Sequence, residues 1–268
     1  MVAFYLLGDI PVYSFSIIIA LGACLGLFWI ARRSSPKLAM PRVEAGMWVL
    51  VGGLIGGRLL YVAVSWLYFR DHLLEGVQFY RGGLAWPGAL AGGLLALAIF
   101  AALNRLSLAP LADDLLPLLA TLSIGAWLGC WLTGCAYGVT SRAWWSLPAP
   151  DEWGMMADRW PIQIWGAVLI VGFFALLDSL ADAARLKPGY RALLGLLGLS
   201  LIQLGITFLR ADPGFIWYGL RLEAWGALII SLLSGLGLLS YSYYLAREKS
   251  DQPEDNPVRT EQLTDNEA

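Results

Sequence analysis

Arg58 is the residue whose type and setting most directly imply chemistry. It stands inside the apolar run 45–67, where a charge is costly and ordinarily faces a polar cavity. A guanidinium at that depth can grip a phosphate through paired N–H donors. The alternative is a side chain that simply snorkels to the membrane surface. Arg210 and Asp212 close another apolar run, and Arg159 and Arg221 lie in polar segments on the same side. The three arginines could form a cationic rim for an anionic headgroup, or act as interfacial anchors.

A second candidate stretch runs from Gly125 to Gly138. Gly125 and Gly129, like Gly134 and Gly138, are four apart, and on a helix each pair makes a flat stripe that another backbone or a lipid headgroup can approach. Thr133, Tyr137 and two cysteines sit among them. Cys130 and Cys135 are weak candidates for a nucleophile. Five residues apart, they should point to different sides of a helix, and a buried thiol commonly behaves as an inert small hydrophobe. The chain has 3 cysteines and no C-x-x-C spacing, so neither a disulfide framework nor a zinc site is expected. No metal or cofactor is expected either. Asp113 and Asp114 open a further apolar run, where acids suit a helix N-terminus or a substrate. Gln163 and Gln203 lie in apolar surroundings that favour bonds across helices. A mechanism using histidine as base would rest on His72, the single histidine, which falls in a loop.

The elements that must position these residues are membrane spans. The chain is 58% hydrophobic and 14% charged, against roughly a quarter charged in soluble domains, so it reads as an all-α integral membrane protein. Thirteen tryptophans and eleven tyrosines suit interfacial belts. The net charge of −2 implies no nucleic-acid partner. Spans are expected at 12–31, 45–67, 82–103 (interrupted by Pro87), 111–136, 161–180, 190–209 and 224–245. The first reads as a retained helix. The loop 137–160, rich in tryptophan and methionine, suits the headgroup region. Arg32, Arg33, Lys37, Arg42, Arg105, Arg185, Lys187, Arg191, Arg247, Lys249 and Arg259 make up most of the 18 lysines and arginines and fall on one side. That side reads as cytoplasmic, with the N-terminus outside and the C-terminus inside. Residues 1–246 form one transmembrane domain in this reading, and 247–268 a polar, disordered cytoplasmic tail.

Five pieces, in order, resemble the prolipoprotein diacylglyceryl transferases. Gly56-Gly57-Arg58-Leu59-Leu60-Tyr61-Val62 is similar to that family's G-G-R-x-G-Y-V, and Gly82-Gly83-Leu84-Ala85-Trp86-Pro87-Gly88 to G-G-M-S-F-H-G-G. The stretch 126–138 resembles G-R-x-G-N-F-x-N-G-E-x-x-G. Arg159-Trp160-Pro161-Ile162-Gln163-Ile164-Trp165 resembles R-H-P-S-Q-L-Y, and Phe208-Leu209-Arg210-Ala211-Asp212 resembles F-F-R-Q-P-D. The resemblance implies a seven-span protein of the bacterial inner (plasma) membrane. It also implies transfer of a diacylglyceryl group from phosphatidylglycerol to a prelipoprotein cysteine, with phospholipid and prelipoprotein signal peptide as partners and glycerol phosphate released. It points to Arg58, Asp113, Gly134, Tyr137, Gly138, Gln163 and Arg210 as substrate-binding residues. The family's signature arginine falls on Trp127, its asparagines on Cys130 and Thr133, its glutamate on Cys135, its histidine on Pro87 and its early tyrosine on Phe15. Its arginine and glutamate of the sixth span fall on Gln203 and Thr207. The alternative that these replacements leave open is a weakly active or inactive homologue that binds lipid or a partner membrane protein.

Overall fold

A computed structural model describes residues 3–6, 10–79, 82–151, 153–184 and 186–251. Seven helices are long and apolar enough to cross a membrane: α1 (Ser14–Arg33), α2 (Pro36–Val64), α4 (Trp86–Leu103), α6 (Leu116–Thr133), α7 (Ile162–Ala184), α8 (Tyr190–Thr207) and α9 (Leu222–Asp251). Two short helices, α3 (Trp66–Phe69) and α5 (Leu108–Asp114), lie between spans. A 3-10 turn (Leu73–Val77) follows α3, and there are three two-stranded antiparallel pairs: β1 (Ala3–Leu6) with β2 (Ile10–Tyr13), β3 (Leu147–Pro150) with β4 (Met156–Arg159), and β5 (Ile216–Trp217) with β6 (Leu220–Arg221). Successive spans alternate in direction, so all three hairpins, α3 and the stretch 65–85 lie at one end. The short turns 34–35 and 104–107, and α5, lie at the other.

Small residues set the helix spacing. In α2 and α4, Gly52 and Gly56 face Gly88 and Gly92 so closely that a Cβ on Gly56 would lie 2.8 Å from the Gly92 Cα. On the α1–α6 seam, a Cβ on Gly26 would lie 2.7 Å from the Leu118 Cα. In lipid no hydrophobic drive separates helix from solvent, so such close backbone contact is what holds the pairs. Two buried clusters result. Ile30, Ala45, Leu97, Phe100 and Leu118 pack towards the end with the short turns, and Trp127, Ile162, Ala167, Ile170 and Leu199 towards the hairpin end.

Several expected boundaries move. The second span starts at Pro36, placing Lys37 and Arg42 on the helix, where Arg42 pairs with Asp114 at 2.6 Å. Pro87 does not interrupt its span. It occupies the first turn of α4, where a missing N–H costs nothing. The run 111–136 is broken at Leu115, because Pro117 starts α6 afresh. Asp113 therefore lies in the last turn of α5, and its two oxygens accept the backbone N–H groups of Gly189 (2.6 Å) and Ala192 (2.7 Å) at the start of α8. Burial pushes the Asp113 carboxyl up, against these two donors and Arg191, which pull it down. Helix α9 runs to Asp251, and the part of the expected tail at 252–268 lies outside the described residues, as do Arg185 and Arg259.

Two outcomes follow. Gly92→Leu should drive α2 and α4 apart and cost at least about 1–3 kcal/mol, read as a lowered midpoint of thermal aggregation in detergent. Asp113→Ala removes a cap and should cost about 1–2 kcal/mol, read in the same assay, while Asp113→Asn should retain part of the loss.

Candidate functional site

Helix α6 stops at Thr133, and Gly134 then takes a left-handed conformation (φ 72°) that a side chain would resist. The Cys135 N–H bonds back to the Cys130 carbonyl at 3.1 Å, and the reversal brings the two cysteines to a Cα separation of 4.6 Å. They form a disulfide, contrary to the expectation that they point apart. Spacing misled because Cys135 is no longer on the helix. In this state neither sulfur is a thiol nucleophile. The third cysteine, Cys24, is free and exposed on α1.

The segment after the disulfide is a platform held from three sides. Gln163, 2% exposed, donates to the Cys135 carbonyl at 3.0 Å. Gly138 pairs with Arg210 and Thr140 with Arg159 as antiparallel bridges, and the Ala211 N–H donates to the Tyr137 carbonyl at 2.9 Å. The Arg159 guanidinium lies 4.5 Å from the centre of the Tyr137 ring and 3.4 Å from Asp151. Arg210 meets Asp212 through two bonds of 2.8 and 2.6 Å, and Glu223 at 3.6 Å. Burial opposes the Arg210 charge, but Asp212 and Glu223 outweigh it and hold the guanidinium above its ordinary pKa. Arg221 bonds the Asp212 carbonyl at 2.6 Å. Each of the three arginines is thus matched by a carboxylate, and the expected cationic rim is a neutral network.

Arg58 forms a separate cluster at the same end. It is 5% exposed, and its charge is met by carbonyl dipoles. Nε donates to Gly76 (2.8 Å), Nη2 to Glu75 (2.6 Å), and Nη1 to Gly83 (3.1 Å) and Gly82. The rings of Tyr61 and Phe69 flank it at 5.6 and 5.5 Å. Arg58 thereby ties Glu75, Gly76, Gly82 and Gly83 to α2. No carboxylate among the described residues lies within ion-pair distance, and one Nη2 proton is left over from these bonds. Arg58 also lines an open cavity of about 410 Å³ with Ser65, Tyr68, Glu75 and the glycines 82 and 83. The sequence reading missed Glu75, Tyr68 and Phe69. Only Tyr61, three residues on from Arg58 and so on the same helix face, carried a signal.

The structure therefore brings Gly134, Tyr137, Gly138, Gln163 and Arg210 together and sets Arg58 in a separate cluster at the same end. Asp113 stands at the opposite end, capping α8 as described. The positions that depart from the resemblance are packed. Trp127 is buried against Gly166, Phe15 covers Gly129, Pro87 sits on Gly226, and Thr207 bonds the Gln203 carbonyl at 2.7 Å.

The fold and site define a multi-pass membrane protein that gathers its buried arginines, and a disulfide, at one end of a seven-helix bundle. The chain belongs to the prolipoprotein diacylglyceryl transferase family, whose sequence model matches residues 1–241. Curated relatives carry the name phosphatidylglycerol–prolipoprotein diacylglyceryl transferase. That of Thermosynechococcus vestitus is 30% identical over 246 residues, covering 88% of this chain and 91% of its own length. The Acaryochloris marina protein is 28% identical over 264 residues (91% and 91%), and that of Bacillus licheniformis 31% over 257 residues (90% and 92%).

Without reductant, maleimide should label one cysteine, Cys24, and after denaturation and reduction all 3. Replacing Cys130 and Cys135 with alanine should cost about 2 kcal/mol for so short a loop, seen as a lowered thermal midpoint.

Proposed function

We propose that this protein transfers a diacylglyceryl group from phosphatidylglycerol to the cysteine of a prolipoprotein in a bacterial plasma membrane. Family membership and the names of relatives spanning nine-tenths of the chain support the reaction. The acceptor thiolate attacks the glyceryl carbon, the carbon–oxygen bond to phosphate breaks, and glycerol phosphate leaves with the electron pair. The step needs a cation where charge builds on the leaving phosphate.

The observation that carries the proposal is Arg58, a buried guanidinium with no described carboxylate partner, bordering an open cavity. Its four carbonyl bonds fix its orientation in advance, and its charge stays available to an anion. Arg210 and Arg159 support the platform at the same end, since Asp212 and Asp151 already hold their charges.

The working end faces outside in this reading. A disulfide persists in an oxidising compartment, and the Cys130–Cys135 bond is at this end. Arg32, Arg33, Lys37, Arg42, Arg105, Lys187 and Arg191 lie at the other, as positive residues do on the cytoplasmic side.

A second reading, a lipid-binding homologue without turnover, is favoured by Trp127 and Pro87, which pack where the family places an arginine and a histidine. One experiment separates the two. The purified protein in phosphatidylglycerol bilayers is given a prolipoprotein peptide, and thioether product and glycerol phosphate are measured by mass spectrometry. The transferase reading expects product, and a loss on the order of a hundredfold in Arg58→Lys, which keeps the charge but not the fork. Bound phosphatidylglycerol without product, beside an active relative in the same assay, would replace it with the second reading.

A further inference from the structure

Three excursions at the working end expose large apolar side chains although they lie outside the spans. The segment 66–79 presents Leu73 and Leu74, the latter 82% exposed. The β3–β4 segment presents Trp144 at 90% and Trp153 at 76%, with Met155 and Met156 beside it, and the β5–β6 turn presents Tyr218 at 84% next to Ile216. The opposite end exposes charge at Arg33, Lys37, Asp182 and Lys187 beside apolar side chains such as Met40, Leu106 and Leu108, but the described residues that join the spans there include no tryptophan.

These are built surfaces. Asp151 accepts the N–H groups of Trp153 (3.0 Å) and Met155 (2.9 Å), and the Asp151 N–H donates to the Met155 carbonyl at 3.0 Å, fixing the turn that aims these side chains outwards. Edge-on contacts run from Trp144 to Trp145 (5.4 Å) and on to Trp160 (6.0 Å), which meets Trp165 in the first turn of α7 (5.4 Å). Two-stranded hairpins are marginal in water alone. Hairpins with fixed, apolar, aromatic tips gain support at a membrane–water interface, where tryptophan, tyrosine and methionine find both apolar contact and water.

We propose that these three excursions form a collar embedded in the headgroup layer of the leaflet at the working end, with the bilayer itself as their partner. Continuity selects lipid over a protein partner. Leu67, in the short helix just past α2, and Phe208, just past α8, are exposed beside spans that face hydrocarbon, and the ring contacts from Trp144 to Trp165 join the second excursion to the first turn of α7. The collar keeps the Tyr137–Gly138 platform and the Arg58 cavity at headgroup depth. It does not depend on turnover, so it stands or falls separately from the transfer reaction.

The test places nitroxide labels at Trp144→Cys, Trp153→Cys and Tyr218→Cys, singly, in a Cys24→Ala background that keeps the disulfide. The protein is held in nanodiscs of phosphatidylethanolamine and phosphatidylglycerol, and relaxation by oxygen is compared with relaxation by a water-soluble nickel chelate. An Asp182→Cys label gives the water reference. The collar predicts that oxygen outweighs nickel at all three sites, with nickel access well below the reference. Nickel access equal to the reference places the tips in water and overturns the proposal. Protection from both reagents signals a protein contact and overturns it as well. Trp144→Phe with Trp153→Phe provides a check without a label. Quenching of tryptophan fluorescence by lipids brominated near the headgroup should fall in the double variant, and unchanged quenching contradicts the collar.

Discussion

A guanidinium inside a membrane protein must find its hydrogen bonds within the chain, because hydrocarbon offers none. Arg58 satisfies that demand with backbone carbonyls from Glu75, Gly76, Gly82 and Gly83. The choice has two consequences. The connection between α2 and α4 is pinned onto α2, so the cavity wall is defined by the residue that supplies its charge. The charge is also left without a described counter-ion, unlike Arg210, whose bidentate bond to Asp212 consumes it. Both arginines hold a loop, but Arg58 does so through carbonyls alone and Arg210 through a carboxylate.

The surrounding packing makes this possible. Gly56 and Gly57 directly precede Arg58, and Gly56 lies against α4 closely enough that the Ala85 N–H reaches the Gly57 carbonyl at 3.0 Å. That bond brings glycines 82 and 83 within reach of the guanidinium. Left-handed φ values at both (81° and 78°) turn their carbonyls, and no larger residue adopts that conformation freely. The G-G-R and G-G segments therefore act as one unit although more than twenty residues separate them.

The spans were legible in the sequence because hydropathy over twenty residues reports the solvent directly. Their ends were not, since proline marks a start as readily as a break: Pro36, Pro87 and Pro117 all open helices. Gln163 and Arg210 were legible as neighbours of the Gly134–Gly138 stretch only through the resemblance, because bridges such as Gly138 with Arg210 join residues far apart in the chain. The disulfide was hidden by treating Cys135 as helical, when one left-handed glycine reverses the chain before it. Asp113 entered the site through the resemblance, while the local sequence placed it at a helix N-terminus without showing that the helix it caps is α8. The carboxylates that neutralise Arg159 and Arg221 belong to a hairpin and to the start of α9, pairings that no local pattern announces.

The replaced family positions show how a polar site can be exchanged for packing. Trp127 fills the space over Gly166, and the disulfide fixes the turn after α6. In the proposed reaction the charge left to meet an anion is that of Arg58. The most direct test is rotational-echo solid-state NMR of the protein in phosphatidylglycerol bilayers, measuring how lipid phosphorus dephases the guanidinium nitrogens of labelled arginine. The account predicts a directly contacting phosphate whose signal vanishes in Arg58→Lys. Phosphorus contact that persists unchanged in that variant, or is absent from the wild type, would contradict it.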